Sequence, residues 1–390
     1  MIDALVVGAG PAGSFISALL ARRGVGVVLV DRASFPRWTV CGACLSGAGV
    51  AQLRAERMAG VLDESGAIPL GELDLRGWGR RARLPLQGGR VLSRAALDAA
   101  LVESASAAGA EIRMGTRALL GRWTGAGREV ELRAPGGVAQ RVHAHVVVAA
   151  TGLHPIPLLP GSGEDSELEH VEGSRVGVGA VVAGWDDGPG SGVVRMTVGE
   201  AGYVGQVLQE DGRWVIAGAL DRGWIQSRGG PGRAVEALLT GGGVSPDWTV
   251  EEGWRGTPAL TRRRSRAAER GVYFLGDAAG YVEPFTGEGM GWALRGAREL
   301  TDLVEQAVAD PSPELEASWD RRYTVRVGRL QRLCRGIAWL GRRPTLARSA
   351  ITVLSRVPGL ARPALRRVAG LGLGDDLLPS SPHLASRQSV

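Results

Sequence analysis

Lysine and asparagine are absent from all 390 residues, so each of the 46 basic side chains is an arginine. The absence of lysine excludes Schiff-base chemistry at an amine. Cysteine is scarce: Cys41, Cys44 and Cys334 are too few for a disulfide scaffold. No apolar run approaches the ~20 residues of a membrane span. The first apolar run, Ala4 to Val7, passes straight into glycine with no signal-like segment before it, so a cytoplasmic protein is expected. No metal site is expected either, because there is no second cysteine pair and His143 and His145 alternate along a strand-like run that shows them to solvent.

Glycine, in contrast, is abundant at 60 residues, and two of its clusters are ordered as a dinucleotide site requires. In the first, Ala4 to Val7 reads as a buried strand, Gly8-Ala9-Gly10-Pro11-Ala12-Gly13 as a turn, and Phe15 to Arg22 as a helix. Free N–H groups and the positive dipole end of that helix would meet a phosphate, which a side chain at Gly8 or Gly10 would obstruct. After Gly24 and Gly26 a second strand, Val27 to Val30, ends on Asp31. An acid there accepts ribose hydroxyls and repels a 2′-phosphate, so the adenosine of FAD or NAD fits better than that of NADP. Near the other end, Val272 to Leu275 reads as a strand closing on Gly276-Asp277-Ala278-Ala279-Gly280. Pro284-Phe285-Thr286-Gly287-Glu288-Gly289-Met290 then leads into a helix. The two segments together indicate FAD.

The later segment, Phe35-Pro36-Arg37 with Cys41-Gly42-Ala43-Cys44-Leu45-Ser46, and Ser93-Arg94-Ala95-Ala96-Leu97-Asp98 together make the first 300 residues resemble the geranylgeranyl reductase and aromatic hydroxylase (group A flavoprotein monooxygenase) superfamily. The resemblance implies FAD contacts at Ala12, Asp31, Arg37, Cys41, Gly42, Cys44, Arg94, Ala118, Asp277, Gly287, Gly289 and Met290, beside the phosphate-loop glycines Gly8, Gly10 and Gly13. It implies an α/β fold: a glutathione-reductase-type, Rossmann-like FAD domain, discontinuous over 1–165 and 263–310, an antiparallel β-sheet substrate domain over 166–262, and a basic helical extension over 311–378. Residues 379–390, rich in serine and proline, are expected to be disordered. Thr151-Gly152 stands where the aromatic hydroxylases carry Asp-Gly, which weakens any carry-over of their NADPH handling. The lysine on which flavin-dependent halogenases rely has no counterpart.

Within that frame the leading expectation is a monooxygenase that hydroxylates an aromatic or polyketide-like hydrophobic substrate through a C4a-flavin peroxide. NADH or NADPH would be the transient electron donor, because no second dinucleotide unit is present. An alternative is a geranylgeranyl-reductase-like enzyme that reduces C=C bonds of isoprenoid lipids. The Cys41 loop favours it, and the missing Trp-x-Phe-Pro-type cavity motif counts against it. A further alternative is a non-catalytic flavin-binding protein. Catalytic candidates are Tyr203, Glu283, Glu288 and Cys41, each with a plainer role available in packing or solvation. A Cys41/Cys44 redox pair is less favoured than two reduced cysteines packed near the flavin. Arg322, Arg326, Arg329 and Arg335 recur at near-helical spacing beside Leu330, Leu333, Ile337 and Leu340. Such a stripe more often marks a solvated or inter-domain surface; the sharper reading is peripheral membrane contact. Nucleic acid is not an expected partner.

Overall fold

Runs of valine, leucine and alanine that read as strands buried on both faces become the centre of a parallel sheet in the computed structural model, which describes residues 1–162, 168–283, 285 and 287–368. Its order is Ala268–Glu269, Val272–Phe274, Gln140–Ala149, Ile2–Val7, Val27–Val30, Glu111–Arg113. Ile2–Val7 lies parallel to both neighbours, Ala4 opposite Val27 on one side and Val146 on the other. Helices Pro11–Arg22, Arg94–Ala107 and Gly289–Ala309 cover one face, where Phe15, Ile16, Leu97, Leu101, Leu294 and Leu300 are fully buried. The meander Arg117–Trp123, Arg128–Arg133, Gln140–Ala149 buries Leu120, Val130 and Leu132 on the other.

The second sheet runs Thr249–Ala259, Val176–Ala183, Trp214–Leu220, Gly202–Leu208, Val193–Gly199, Ile68–Gly77, Arg80–Val91, Cys44–Leu45. Every joint is antiparallel except that between Val193–Gly199 and Ile68–Gly77, where Val194 stands opposite Leu73 and Met196 opposite Leu75. The sheet therefore corrects the sequence-based boundaries. The hairpin over 68–91, within the span 1–165 assigned to the cofactor domain, belongs to the substrate sheet. The reason is visible in its alternation: Leu73, Leu75, Ala82 and Leu84 share a face with Val198, Tyr203 and Ala219. On the opposite face Asp74 is buried among arginines. Burial alone would raise its carboxyl, but hydrogen bonds from Arg81 and Arg76 outweigh burial and hold it below the usual range. Helix Pro231–Gly241 covers part of the sheet, burying Val235 and Leu239 against Val204 and Ile216.

Helix Pro313–Arg326 returns the chain to the parallel sheet. Trp319 is fully buried there, and its indole N–H donates to the Phe274 carbonyl at 3.0 Å. Trp319→Ala is expected to cost about 3–5 kcal/mol through the cavity and the orphaned carbonyl. Urea unfolding would register this as a lowered midpoint at unchanged slope. Gly328–Gly341, Pro344–Arg356, Pro358–Ala361 and Arg362–Val368 continue the extension, with Ile351 packed on Leu75 and Leu84. Residues 369–378 and the tail 379–390 lie outside the described residues. Of the arginine stripe, Arg322 and Arg326 pair with Asp302 and Glu299 of helix Gly289–Ala309, whereas Arg329 is exposed.

Candidate functional site

The first glycine turn is built by close approach. Gly8 has φ +105°, and a Cβ there would stand 2.3 Å from the Ala150 carbonyl oxygen; a Cβ on Gly13 would stand 1.9 Å from the Gly8 oxygen. Neither position admits a side chain. Gly10 differs, because the nearest atom to its added Cβ is the tip of Arg94 at 3.5 Å. Its open side faces a cavity. Helix Pro11–Arg22 starts there without a side-chain cap, as does Gly289–Ala309 at Glu288. Two helix N-termini with their amide donors thus face the same space.

Asp31 closes its strand as the sequence implies. One carboxylate oxygen accepts the Ala9 N–H at 2.8 Å, and the other accepts the Ala33 N–H at 2.8 Å and Arg37 at 3.2 Å. Behind it Arg94 forms a two-pronged pair with the buried Asp98, at 2.8 Å for each bond, and also bonds Cys41. Burial works against the Arg94 charge, but Asp98 prevails and keeps the guanidinium firmly protonated. Asp277 faces the cavity; burial pushes its carboxyl up to about 6 although Arg94 and Arg262 pull it down. Burial likewise pushes Cys44 up to about 12, with Cys41 adding to the effect, so Cys44 remains a neutral thiol.

These groups line one cavity of about 1690 Å³, larger than the roughly 300–1,000 Å³ usual for a single small ligand. Every cofactor residue named from the sequence lines it except Gly13, which acts behind the wall by letting helix and strand touch. Pro284 and Thr286 lie outside the described residues. The paired uncapped helix ends, the glycine cradle that a Cβ would fill and the acid closing the second strand fit FAD. Gly8, Gly10 and Ala12 could hold its pyrophosphate, Asp31 a ribose, and Gly287 to Met290 its ring.

From that end the cavity continues between the second sheet and the C-terminal helices, where Leu73, Leu75, Leu84, Met196, Ile351 and Leu354 are among the lining residues and give it a largely apolar wall. Sequence reading missed this chamber, since part of its wall comes from the 68–91 hairpin. The alternation of leucine with charged residues over 72–86 was the available signal. Tyr281 was also missed; it lines the cavity beside Tyr203, and burial holds both phenols well above their ordinary range. Tyr203 packs edge-on against Phe285 at 4.8 Å.

The two loop glutamates part company. Glu283 is buried but does not line the cavity; it is held by Arg175 at 3.1 Å and Arg342 at 2.9 Å, tying the extension to the second sheet. Glu288 lines the cavity, is 4% exposed and accepts the Ser46 hydroxyl at 2.8 Å. Burial pushes its carboxyl up to about 8, against the pull of the Ser46 bond.

Residues 1–157 match the FAD binding domain family. Over nearly the whole chain the protein is 27% identical to menaquinone reductase of Mycobacterium tuberculosis, across 96% of this chain and 92% of that one. It is 30% identical to digeranylgeranylglycerophospholipid reductase 1 of Methanopyrus kandleri, across 83% of this chain and 85% of that one. Among solved structures it is similar to the flavin-dependent brominase Bmp2 (TM-score 0.79, 16% identity, 95% of this chain and 93% of that one). It is similar also to the p-nitrophenol 4-monooxygenase PnpA of Pseudomonas putida (TM-score 0.77, 16% identity, 95% and 98%). At these identities the structures show the fold alone.

Proposed function

Because the chain belongs to the digeranylgeranylglycerophospholipid reductase family of FAD-dependent oxidoreductases, we propose that it saturates C=C bonds in the isoprenoid chain of a lipid. The carrying observation is the apolar chamber that extends the cofactor cleft between the second sheet and the C-terminal helices. Both named relatives are reductases, and the second is named for a lipid carrying geranylgeranyl chains; a chamber walled by leucine, isoleucine and methionine suits such a chain better than a polar ring. This reverses the order of the two reactions weighed from sequence. Monooxygenation is left with a likeness of fold, and halogenation lacks the lysine it would need.

Once reduced by NADH or NADPH, bound FAD would supply the hydride chemistry for one alkene carbon. The chain's own residues orient the alkene, exclude water and deliver a proton to the other carbon. Tyr203, Tyr281 and the leucines of the chamber exclude water. Glu288 is the proton donor in this reading: it lines the cavity at the Gly287–Met290 turn and stays neutral at pH 7. Gly8, Gly10, Ala12, Asp31, Arg37, Arg94, Asp277 and Met290 would hold the cofactor. Cys41 and Cys44 pack as reduced thiols beside it.

The test is product mass after anaerobic incubation with a donor and an isoprenoid lipid. A gain of two hydrogens per double bond is expected. A product formed only in air and heavier by one oxygen would establish the monooxygenase instead. A purified yellow protein whose flavin no donor reduces would leave it a flavin-binding protein.

A further inference from the structure

Residues 321–374 contain thirteen arginines and no aspartate or glutamate. Three of these arginines are spent inside the molecule, Arg322, Arg326 and Arg342 on Asp302, Glu299 and Glu283. Arg343, Arg348, Arg356, Arg362 and Arg366 are exposed. Burial, and after it the charges of Arg263 and Arg332, hold Arg335 below the ordinary arginine range.

Apolar side chains are exposed among these arginines. Leu346, Val353, Val357 and Leu360 are 41%, 48%, 50% and 60% exposed; Leu346 and Val353 stand two turns apart on one side of helix Pro344–Arg356, and Val357 and Leu360 follow where the chain leaves that helix for the turn Pro358–Ala361. Near the end of the preceding helix, Gly328–Gly341, Trp339 is 53% exposed, with the Arg343 guanidinium stacked 3.6 Å from its ring centre. Ala347 and Ile351 point the other way and are buried in the cavity wall. Leu360, Arg362 and Arg366 are both exposed and part of the cavity lining. The chamber therefore opens at the same surface.

We infer that the helices from Gly328 to Val368 form a docking surface for an anionic lipid bilayer, with the mouth at Leu360, Arg362 and Arg366 turned toward the lipid. A stripe of leucine and valine edged by arginine, with a tryptophan at its border, inserts into the acyl boundary while its cations meet phosphates. Among the described residues no helix is long and apolar enough to cross the membrane, so the contact is interfacial. Nucleic acid would engage the arginines and leave the apolar stripe in water. A second copy would set two surfaces of the same sign together. The docking stands on charge and exposure alone; only what passes through the mouth rests on the proposed reaction.

The full-length, FAD-loaded protein is tested by flotation with vesicles of phosphatidylcholine alone or mixed with phosphatidylglycerol. At least tenfold stronger partitioning onto the anionic vesicles is expected, weakening as salt is raised. Each arginine near the surface accounts for about fivefold, so R343E/R348E/R356E should lower partitioning by more than tenfold. V353S/V357S should lower it several-fold at unchanged charge. Circular dichroism and flavin content identify any variant that misfolds. Equal partitioning onto both vesicle types, or wild-type partitioning by the arginine variant, overturns the inference. So does duplex DNA binding that competes with vesicles while V353S/V357S binds vesicles as the wild type does. Turnover of a short, detergent-dispersed isoprenoid should be the same in all these proteins. If the wild type floats with anionic vesicles but reduces no isoprenoid, the docking stands and the proposed reaction falls.

Discussion

Glu288→Gln is expected to lower reductive turnover by roughly two to four orders of magnitude, the range over which a positioned acid contributes, while flavin content is retained. Glutamine preserves the acceptor for the Ser46 hydroxyl and the shape of the turn, and removes only the acidic proton. Among the described residues no second protein partner engages the carboxyl, so its proton is free for the cavity. Wild-type turnover should fall as pH rises through about 8, where burial has set the carboxyl. The variant's residual activity should lack that limb. Stability has the matching sign. The folded state holds this proton to a higher pH than the unfolded chain does, so the stabilisation is full below the ordinary carboxylate range and is lost as pH rises toward 8. In the glutamine variant this alkaline loss disappears. A variant with near-normal turnover and an unchanged pH profile would make Glu288 a positioning residue at the helix start.

Gly13→Ala should produce protein that neither retains flavin nor folds stably. The added carbon would stand 1.9 Å from the Gly8 oxygen and 3.2 Å from the Ala150 side chain. The close contact is backbone, so no rotamer relieves it. The first helix would have to back away from the sheet, opening the packing of Phe15 and Ile16 and displacing the amides that face the cavity. A loss above about 4 kcal/mol is the exceptional class to which such a clash belongs. Gly10→Ala is the control: with nothing nearer than Arg94 at 3.5 Å, it should keep the melting temperature and weaken flavin retention alone. Flavin absorbance per protein and thermal melting separate the two. A Gly13 variant with a normal melt and bound flavin would contradict the account.

Why the cofactor cleft was legible and the chamber was not follows from the range of the forces that build each. Gly8, Gly13 and Asp31 lie within one strand–helix–strand unit, where backbone sterics and a strand-ending acid have local signatures. Asp277 and Gly289 repeat that logic at the second turn. The chamber depends on Leu73 meeting Val194 in a parallel joint between segments about 120 residues apart, which no local pattern announces. Glu283 and Glu288 look alike in sequence, five residues apart in one loop. Arg175 and Arg342, from distant elements, turn the first into a tie, while the helix start at Gly289 sets the second against the cavity. The stripe of Arg322 and Arg326 proved partly internal, because Asp302 and Glu299 stand on the facing helix.

The one parallel joint of the second sheet also governs how the molecule can be made. Both sheets draw strands from distant stretches: the parallel one needs Val272–Phe274 beside Gln140–Ala149, and the other needs Val193–Gly199 beside Ile68–Gly77. During synthesis neither can close while only its early strands have left the ribosome. The nascent chain carries two sets of unpaired edges for much of its elongation. Completion comes with helix Gly289–Ala309, which packs on the first helix and brings Gly287 to Met290 to the cleft that would hold FAD. The cofactor-binding shape thus arises only once helix Gly289–Ala309 has been made, and a nascent chain that stops short of that helix remains an aggregation hazard.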